Sequence, residues 1–325
     1  MNKYLISVIV PVYNCEKHLE SSIGSLLSQT FFEQIEFVFV NDGSTDNSEA
    51  IIKSYVDRYS NIKIISQKNK GVSSARNTGI VNSKGDFLSF FDADDVAEPT
   101  LYEKLFKMIK KNDADISVVD YSMNFADETV KKHRPNCVKK ISDKTEMLKS
   151  FFAGNLICTN PVDKMFARKV IDNVFFPEGY AIGEDMYFVY KALCAADTIV
   201  IDSTQVLYKY CLHSESAMKS TFSDKHLDSV YLAKKILEEF ETTDELYNYA
   251  EANYIHEICK MFGLLYQTKV DKKLIHKTAG LREILKKYRI SKAIKYMDKK
   301  HVVALELMKI SPHIYEAAYK IMKVG

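Results

Sequence analysis

The sequence predicts an α/β protein, a mainly parallel sheet flanked by helices, followed by a helical C-terminal region. Three observations carry this. Over about the first 120 residues, short β-branched runs alternate with amphipathic stretches. The short runs are apolar nearly throughout, as strands covered on both faces are. From Ser223 onward Gly is rare, turn signals are few, and Leu, Ile, Lys and Tyr dominate.

The elements follow in order. Residues 4–10 read as the first strand, ending at Pro11. Leu19, Ile23, Leu26 and Leu27 recur at helical spacing, with Asn14 placed to cap that helix. Residues 35–40 are the second strand. Asp46 and Glu49 then have the spacing of a capping box, ahead of a stripe of Ile52, Tyr55, Val56 and Tyr59. Residues 62–65 form a third strand, 72–80 a short helix and 87–91 a fourth strand. Leu101, Leu105, Met108 and Ile109 mark a helix with Pro99 near its start. Residues 116–121 are a fifth strand, and 122–150 read as a polar excursion. A helix over 185–195 and strands near 198–201 and 206–210 complete the α/β part. The expected division is an α/β domain at 1–222 and a basic helical region at 223–325.

The composition, 46% hydrophobic and 27% charged over 325 residues, is that of a soluble chain able to bury a substantial core. The apolar run at the start stops at Pro11, too early for a secretory signal. No stretch approaches the roughly 18 apolar residues of a membrane span. Six scattered cysteines without a C-x-x-C pair fit reduced thiols. Together these predict a cytoplasmic protein. The net charge of +2 conceals an asymmetry: residues 269–325 hold 15 Lys/Arg against 5 Asp/Glu, a net of +10, and the rest of the chain carries −8. Such a tail predicts an anionic partner surface, the inner face of a membrane held peripherally, or pairing with a second subunit as a homo-oligomer. No nucleic-acid partner is expected.

Ligands of open α/β sheets bind at the carboxyl ends of the strands. Three unusual segments fall there: Pro11-Val12-Tyr13-Asn14 after the first strand, Asn41 to Asp46 after the second, and Asp92-Ala93-Asp94-Asp95 after the fourth. Three carboxylates within four residues repel one another, and a hard divalent cation, Mg²⁺ or Mn²⁺, relieves that repulsion while binding substrate phosphates. Asp42 is free of the capping role given to Asp46 and can accept N–H bonds from a nucleobase. Arg76, in a segment that opens a helix, suits an anion. Glu184 and Asp185 open another helix and offer a general base for a hydroxyl acceptor. Neither a Walker loop nor G-x-G-x-x-G is present, which argues against an ATPase and a dinucleotide dehydrogenase.

In order along residues 3–220, SVIVPVYN, SLLSQT, VNDGSTDNS, NKGVSSARNTGI, GDFLSFFDADD and GEDMYF resemble the bacterial inverting family 2 glycosyltransferases of GT-A fold. The resemblance implies transfer of a sugar from a nucleotide-diphospho-sugar donor, most often a UDP-sugar, to a hydroxyl of a glycan or lipid-linked acceptor in capsule or exopolysaccharide synthesis. By position, Pro11, Val12, Tyr13 and Asp42 would line the nucleoside pocket, with Arg76 near the base or the phosphates. Asp92 and Ala93 would face the ribose and sugar. Asp94, with Asp95 as alternative, would hold Mn²⁺ or Mg²⁺, and His213 would lie close to the metal or diphosphate. Asp185 matches the family's catalytic base and Glu184 its acceptor-facing neighbour. VDKMFARK resembles a segment usually written with Asn before the Lys; here Asp163 stands there, and Lys164 receives no role. Two rivals remain at this level: a sugar-1-phosphate nucleotidyltransferase, which would carry a Gly-rich loop where this chain has VYNCEKH, and a nucleotide-sugar or glycan-binding module without turnover.

Overall fold

The computed structural model describes residues 4–125, 134–212, 222–267 and 272–311. Strand β1 (Ile6–Val12) leads into helix α1 (Glu16–Leu27), β2 (Ile35–Asn41) into α2 (Ser48–Val56), and β3 (Ile62–Ser66) into α3 (Val72–Asn82). β4 (Phe87–Phe90) and the two-residue β5 (Val96–Ala97) precede α4 (Leu101–Asn112). Then come β6 (Ile116–Phe125), β7 (Val138–Ile141), α5 (Lys144–Phe152), β8 (Lys164–Ala167), the single turn α6 (Arg168–Ile171), α7 (Glu184–Ala195) and β9 (Ile199–Leu212). Among the described residues five helices follow: α8 (Leu227–Leu237), α9 (Tyr247–Gln267), α10 (Lys272–Lys287), α11 (Ile290–Tyr296) and α12 (Lys299–Ile310).

One nine-stranded sheet runs β3-β2-β1-β4-β8-β6-β9-β5, with β7 paired to β9. The first four strands of that order are mutually parallel, as expected, so the ends of β1, β2, β3 and β4 share one edge. β8 enters antiparallel between β4 and β6 and makes the sheet mixed. Its first residue, Lys164, therefore sits at the same edge as the last residues of β4. The interior beneath is aromatic: Phe90 meets Phe166, Phe176 and Phe188, and Phe176 stacks on Phe188 with centroids 3.9 Å apart.

Several expectations change locally. The polar excursion of 122–150 holds the end of β6, β7 and α5. The two strands expected near 198–201 and 206–210 are one, β9, whose register against β6 shifts around Asp120. Asn14 has a positive φ of 52° and the cap of α1 is Cys15. The Asp46–Glu49 capping box does not form. Asp46 instead joins two helix starts, accepting from Ser48 N at 3.0 Å and Glu16 N at 3.0 Å. Glu49 turns to Asn41 and Ser66. All six cysteines are free thiols. No helix among the described residues is long and apolar enough to cross a membrane.

The C-terminal helices are joined to the sheet domain through α5 and α7. α8 packs on α7, and α9 packs on α5, α8, α11 and α12. Tyr190 and Lys191 of α7 both bond Glu239, just past α8.

Candidate active site

The site is built on the shared carboxyl edge of β1, β2 and β4. Val12 ends β1, and its carbonyl accepts from Asp42 N at 2.8 Å, tying the tips of β1 and β2 together. Pro11 is half-buried, Val12 is buried, and Tyr13 stands out at 49% exposure, a free aromatic face beside this seam. Asp42 is buried and fully engaged: Oδ1 accepts from Gln67 Nε2 at 2.8 Å and Lys70 N at 2.9 Å, and Oδ2 from Gly71 N at 2.8 Å. The carboxylate thus pins the turn that launches α3. Gln67 is held in turn by Thr78 Oγ1 at 2.6 Å.

That launch aims Arg76 inward. Its guanidinium, 4% exposed, donates to Asp185 Oδ1 at 2.5 Å and Asp92 Oδ1 at 3.0 Å, and Glu184 Oε1 lies 3.7 Å away. Phe176 lies beneath it, with Cζ 5.0 Å from the ring centroid. Asn77 fixes Phe176 by a reciprocal pair of bonds to its backbone, at 2.9 and 2.8 Å. The three carboxylates hold Arg76 protonated, well above the ordinary range, although burial alone would act the other way. One buried cation therefore joins the acidic segment after β4 to the acidic start of α7. These segments are about ninety residues apart in sequence.

The cluster after β4 divides by environment. Asp92 and Asp94 are partly exposed, and Ala93 is buried between them. Asp95 is 1% exposed and turned inward: Oδ1 accepts from Cys211 N at 2.7 Å, and Oδ2 takes the Tyr208 hydroxyl. Tyr208 Oη also accepts from Asp92 N at 3.3 Å. Burial, with the charges of Asp92 and Asp94, holds the Asp95 carboxyl well above the usual carboxylate range. Of the two acids expected at the metal, Asp94 is the accessible one, and Asp95 anchors the loop to β9. Among the described residues no group of three or more His, Cys, Asp or Glu is gathered as a metal site. His213 lies outside the described residues. The partly exposed carboxylates of Asp92 and Asp94 are hard oxygen donors, the type that Mg²⁺ and Mn²⁺ take.

Glu184 and Asp185 begin α7 as expected, but burial outweighs the helix N-terminus. It lifts Glu184 to about 8, helped by the charge of Asp185 and opposed by Arg76. It also raises Asp185, with Arg76 pulling back. A carboxylate with raised proton affinity is a stronger base than an ordinary surface Asp. The start of α7 is placed by the C-terminal helices. Gly183 has φ +92°, and a Cβ there would meet Ser229 Cα of α8 at 2.7 Å. Asp228 Oδ2 accepts from Ala181 N at 2.7 Å.

Behind the site lies a buried charge network that the sequence left unassigned. Asp163 receives Arg134 Nη2 at 2.5 Å and Lys164 Nζ at 2.6 Å, and all three side chains are 0% exposed. Asp120 is 3.4 Å from Arg134, which balances two cations with two anions. Burial would raise Asp163, yet Lys164 and Arg134 keep it below its ordinary value. The Asp before the Lys is thus the counter-ion of Arg134. The one available signal was an acid directly before a Lys in a segment whose strand, KMFA, is buried throughout.

Residues 7–175 match the family model described as glycosyl transferase family 2. The chain belongs to that family. It is 32% identical over 218 residues to the glycosyltransferase GlyA of Streptococcus pneumoniae, covering 65% of this chain and 31% of that protein. It is 34% identical over 188 residues to the minor teichoic acid biosynthesis protein GgaB of Bacillus subtilis, covering 57% of this chain and 21% of that one. The chain therefore spans a minor part of either relative. The structure resembles that of TarS from S. aureus in complex with UDP-GlcNAc, with TM-score 0.73 and 19% identity over 97% of this chain and 91% of that one. The shared architecture is GT-A, and the family 2 match, residues 7–175, takes in Asp42 after β2, Arg76 in α3 and Asp92 after β4.

Proposed function

We propose that this protein transfers a sugar, with inversion, from a UDP-sugar to a hydroxyl of a glycan or lipid-linked acceptor in cell-surface polysaccharide synthesis. The observation that carries the reading is the Arg76 bridge, which brings the donor-side Asp92 and the base candidate Asp185 to one point at the sheet edge. The relatives' printed roles, glycosyl transfer and teichoic acid synthesis, and the UDP-GlcNAc in the TarS structure favour donor and setting.

In this reading Tyr13 covers the nucleobase face at the β1–β2 seam, and Asp42 holds the floor of that pocket through the turn at Lys70 and Gly71. Asp92 faces the ribose and sugar. Asp94 holds a divalent cation, which when bound offsets the charge of the donor diphosphate. Asp185 takes the proton of the acceptor hydroxyl. That oxygen then forms its bond to the anomeric carbon as the bond to the diphosphate breaks, and the electron pair leaves with the nucleoside diphosphate. A single displacement inverts the carbon. Arg76, freed from its carboxylates as they engage substrate, supplies positive charge on the leaving side, a positioning and electrostatic role. Glu184, beside the base, accepts from the acceptor.

Calorimetry with UDP-sugars, with and without Mn²⁺, beside an assay of UDP release, tests this. Binding and release that vanish in EDTA and in Asp94→Ala support it. Tight binding of a nucleoside triphosphate with pyrophosphate release would support a nucleotidyltransferase instead.

A further inference from the structure

The helices after α9 present a surface that the transfer reaction does not use. Residues 272–311 carry 12 Lys/Arg against 3 Asp/Glu. Among the described residues, eleven large hydrophobic side chains are exposed, and five of them lie here: Ile284, Ile290, Ile294, Val303 and Ile310. Isolated exposed apolar residues are ordinary; their concentration on a basic surface is not.

Helix geometry places them on outward faces. In α11 the buried Ala293 marks the inner side. Ile290 and Ile294, one turn apart, lie together on the exposed arc with Ser291 and Lys295 beside them. In α12 the inner side is Leu305 and Met308, and Lys299, Val303 and Ile310 align on the opposite side with Lys300 next to them. At the end of α10, Ile284 and Lys287 are three residues apart and both exposed, and Leu285 points inward.

The charge here is largely uncompensated. Lys292 pairs with Glu251, Lys309 with Glu306 and Lys286 with Glu283. Lys287, Arg289, Lys299 and Lys300 form no ion pair among the described residues and are all exposed. An outward face that mixes unpaired cations with branched aliphatic side chains has one natural complement, an anionic bilayer surface. The cations meet headgroup phosphates, and the short aliphatics enter the headgroup–acyl boundary without crossing it. A nucleic acid would use the cations and leave the isoleucines in water.

From this we infer that α10–α12 form a peripheral docking surface for anionic phospholipid, with Ile290, Ile294 and Val303 as the inserted residues and Arg289, Lys299 and Lys300 as headgroup ligands. The inference stands apart from the transfer reaction, and its test needs no donor.

The experiment is co-sedimentation of the full chain with vesicles of phosphatidylcholine alone or mixed with phosphatidylglycerol, at low and high salt. Two variants accompany it: Ile290→Ser with Ile294→Ser, and Arg289→Gln with Lys299→Gln and Lys300→Gln. Every changed side chain is exposed, and an unaltered thermal midpoint confirms the fold. The expected result is binding to the phosphatidylglycerol vesicles only, weakened by salt and reduced at least about tenfold by either variant. Equal binding to both vesicle types, or binding that neither variant changes, overturns the inference. So does concentration-dependent self-association in light scattering that the isoleucine variant abolishes while vesicle binding is absent; that outcome assigns the face to a second copy of the chain.

Discussion

Replacing Glu184 by Gln should make the protein more stable and less active. The side chain is 11% exposed and near Arg76, and burial with the charge of Asp185 lifts its carboxyl from 4.5 to about 8. In the unfolded chain it ionises near 4.5, so folding opposes its ionisation. Below about pH 4.5 both states are protonated and the penalty is absent; it grows as pH rises and is complete above about 8. A rise of about 3.5 pH units, at about 1.36 kcal/mol each, sets a ceiling near 5 kcal/mol. Glu184 and Asp185 titrate together and Arg76 offsets part of the burial penalty, so the gain expected lies below that ceiling, at roughly 2–3 kcal/mol. Glu184→Gln keeps the shape and removes the charge. Urea unfolding across a pH series should show no gain below about pH 4.5 and a gain of about 2–3 kcal/mol near pH 9. Acceptor use should fall in the same variant, as at other sites where function retains a destabilising group. A variant less stable than wild type at high pH, or a difference independent of pH, refutes the reasoning.

Two further outcomes follow from the packing around the site. Gly183→Ala forces a Cβ at φ +92° against Ser229 Cα at 2.7 Å, so the start of α7 must shift. The expected cost is about 1–3 kcal/mol of stability, with a fall of about 10²-fold in transfer rate and unchanged UDP affinity; wild-type turnover would show that α8 does not position the base. Asp163→Asn leaves two fully buried cations short of their shared counter-ion and should cost about 3–5 kcal/mol in urea unfolding, whereas a near-wild-type midpoint would show that Asp120 compensates both.

The sequence was most readable where local pattern and global role agree. β1, β2 and β4 are buried on both faces, and their apolar runs placed them to within a few residues; β3, at the sheet edge, is only half-buried but kept enough apolar residues to be read as a strand. The shared carboxyl edge followed from those strand ends, and with it the placement of Asp42, Asp92 and Asp94 beside it, with Arg76 reaching Asp92 from α3. Antiparallel β8 was missed because KMFA is four residues long and its neighbours β4 and β6 are distant in sequence. β7 and α5 were missed because their exposed faces are rich in Lys and Glu, which reads as a loop until the paired β9 is known. Side-chain partnerships were the least legible. Nothing local separates Asp94, which faces outward, from Asp95, which bonds Tyr208 more than a hundred residues away. Likewise the Gly183–Ser229 approach joins α7 to a region whose own sequence carries no site motif.

The most direct test of the central claim is to measure sugar transfer and UDP binding on one preparation of Asp185→Asn. Asn keeps the size of the side chain and an oxygen for Arg76, whose bond to Asp185 Oδ1 is 2.5 Å, but it takes no proton. The account predicts UDP affinity near wild type and transfer reduced by about 10²–10⁴-fold. Transfer at close to the wild-type rate would contradict it and move the base elsewhere, to Glu184 first.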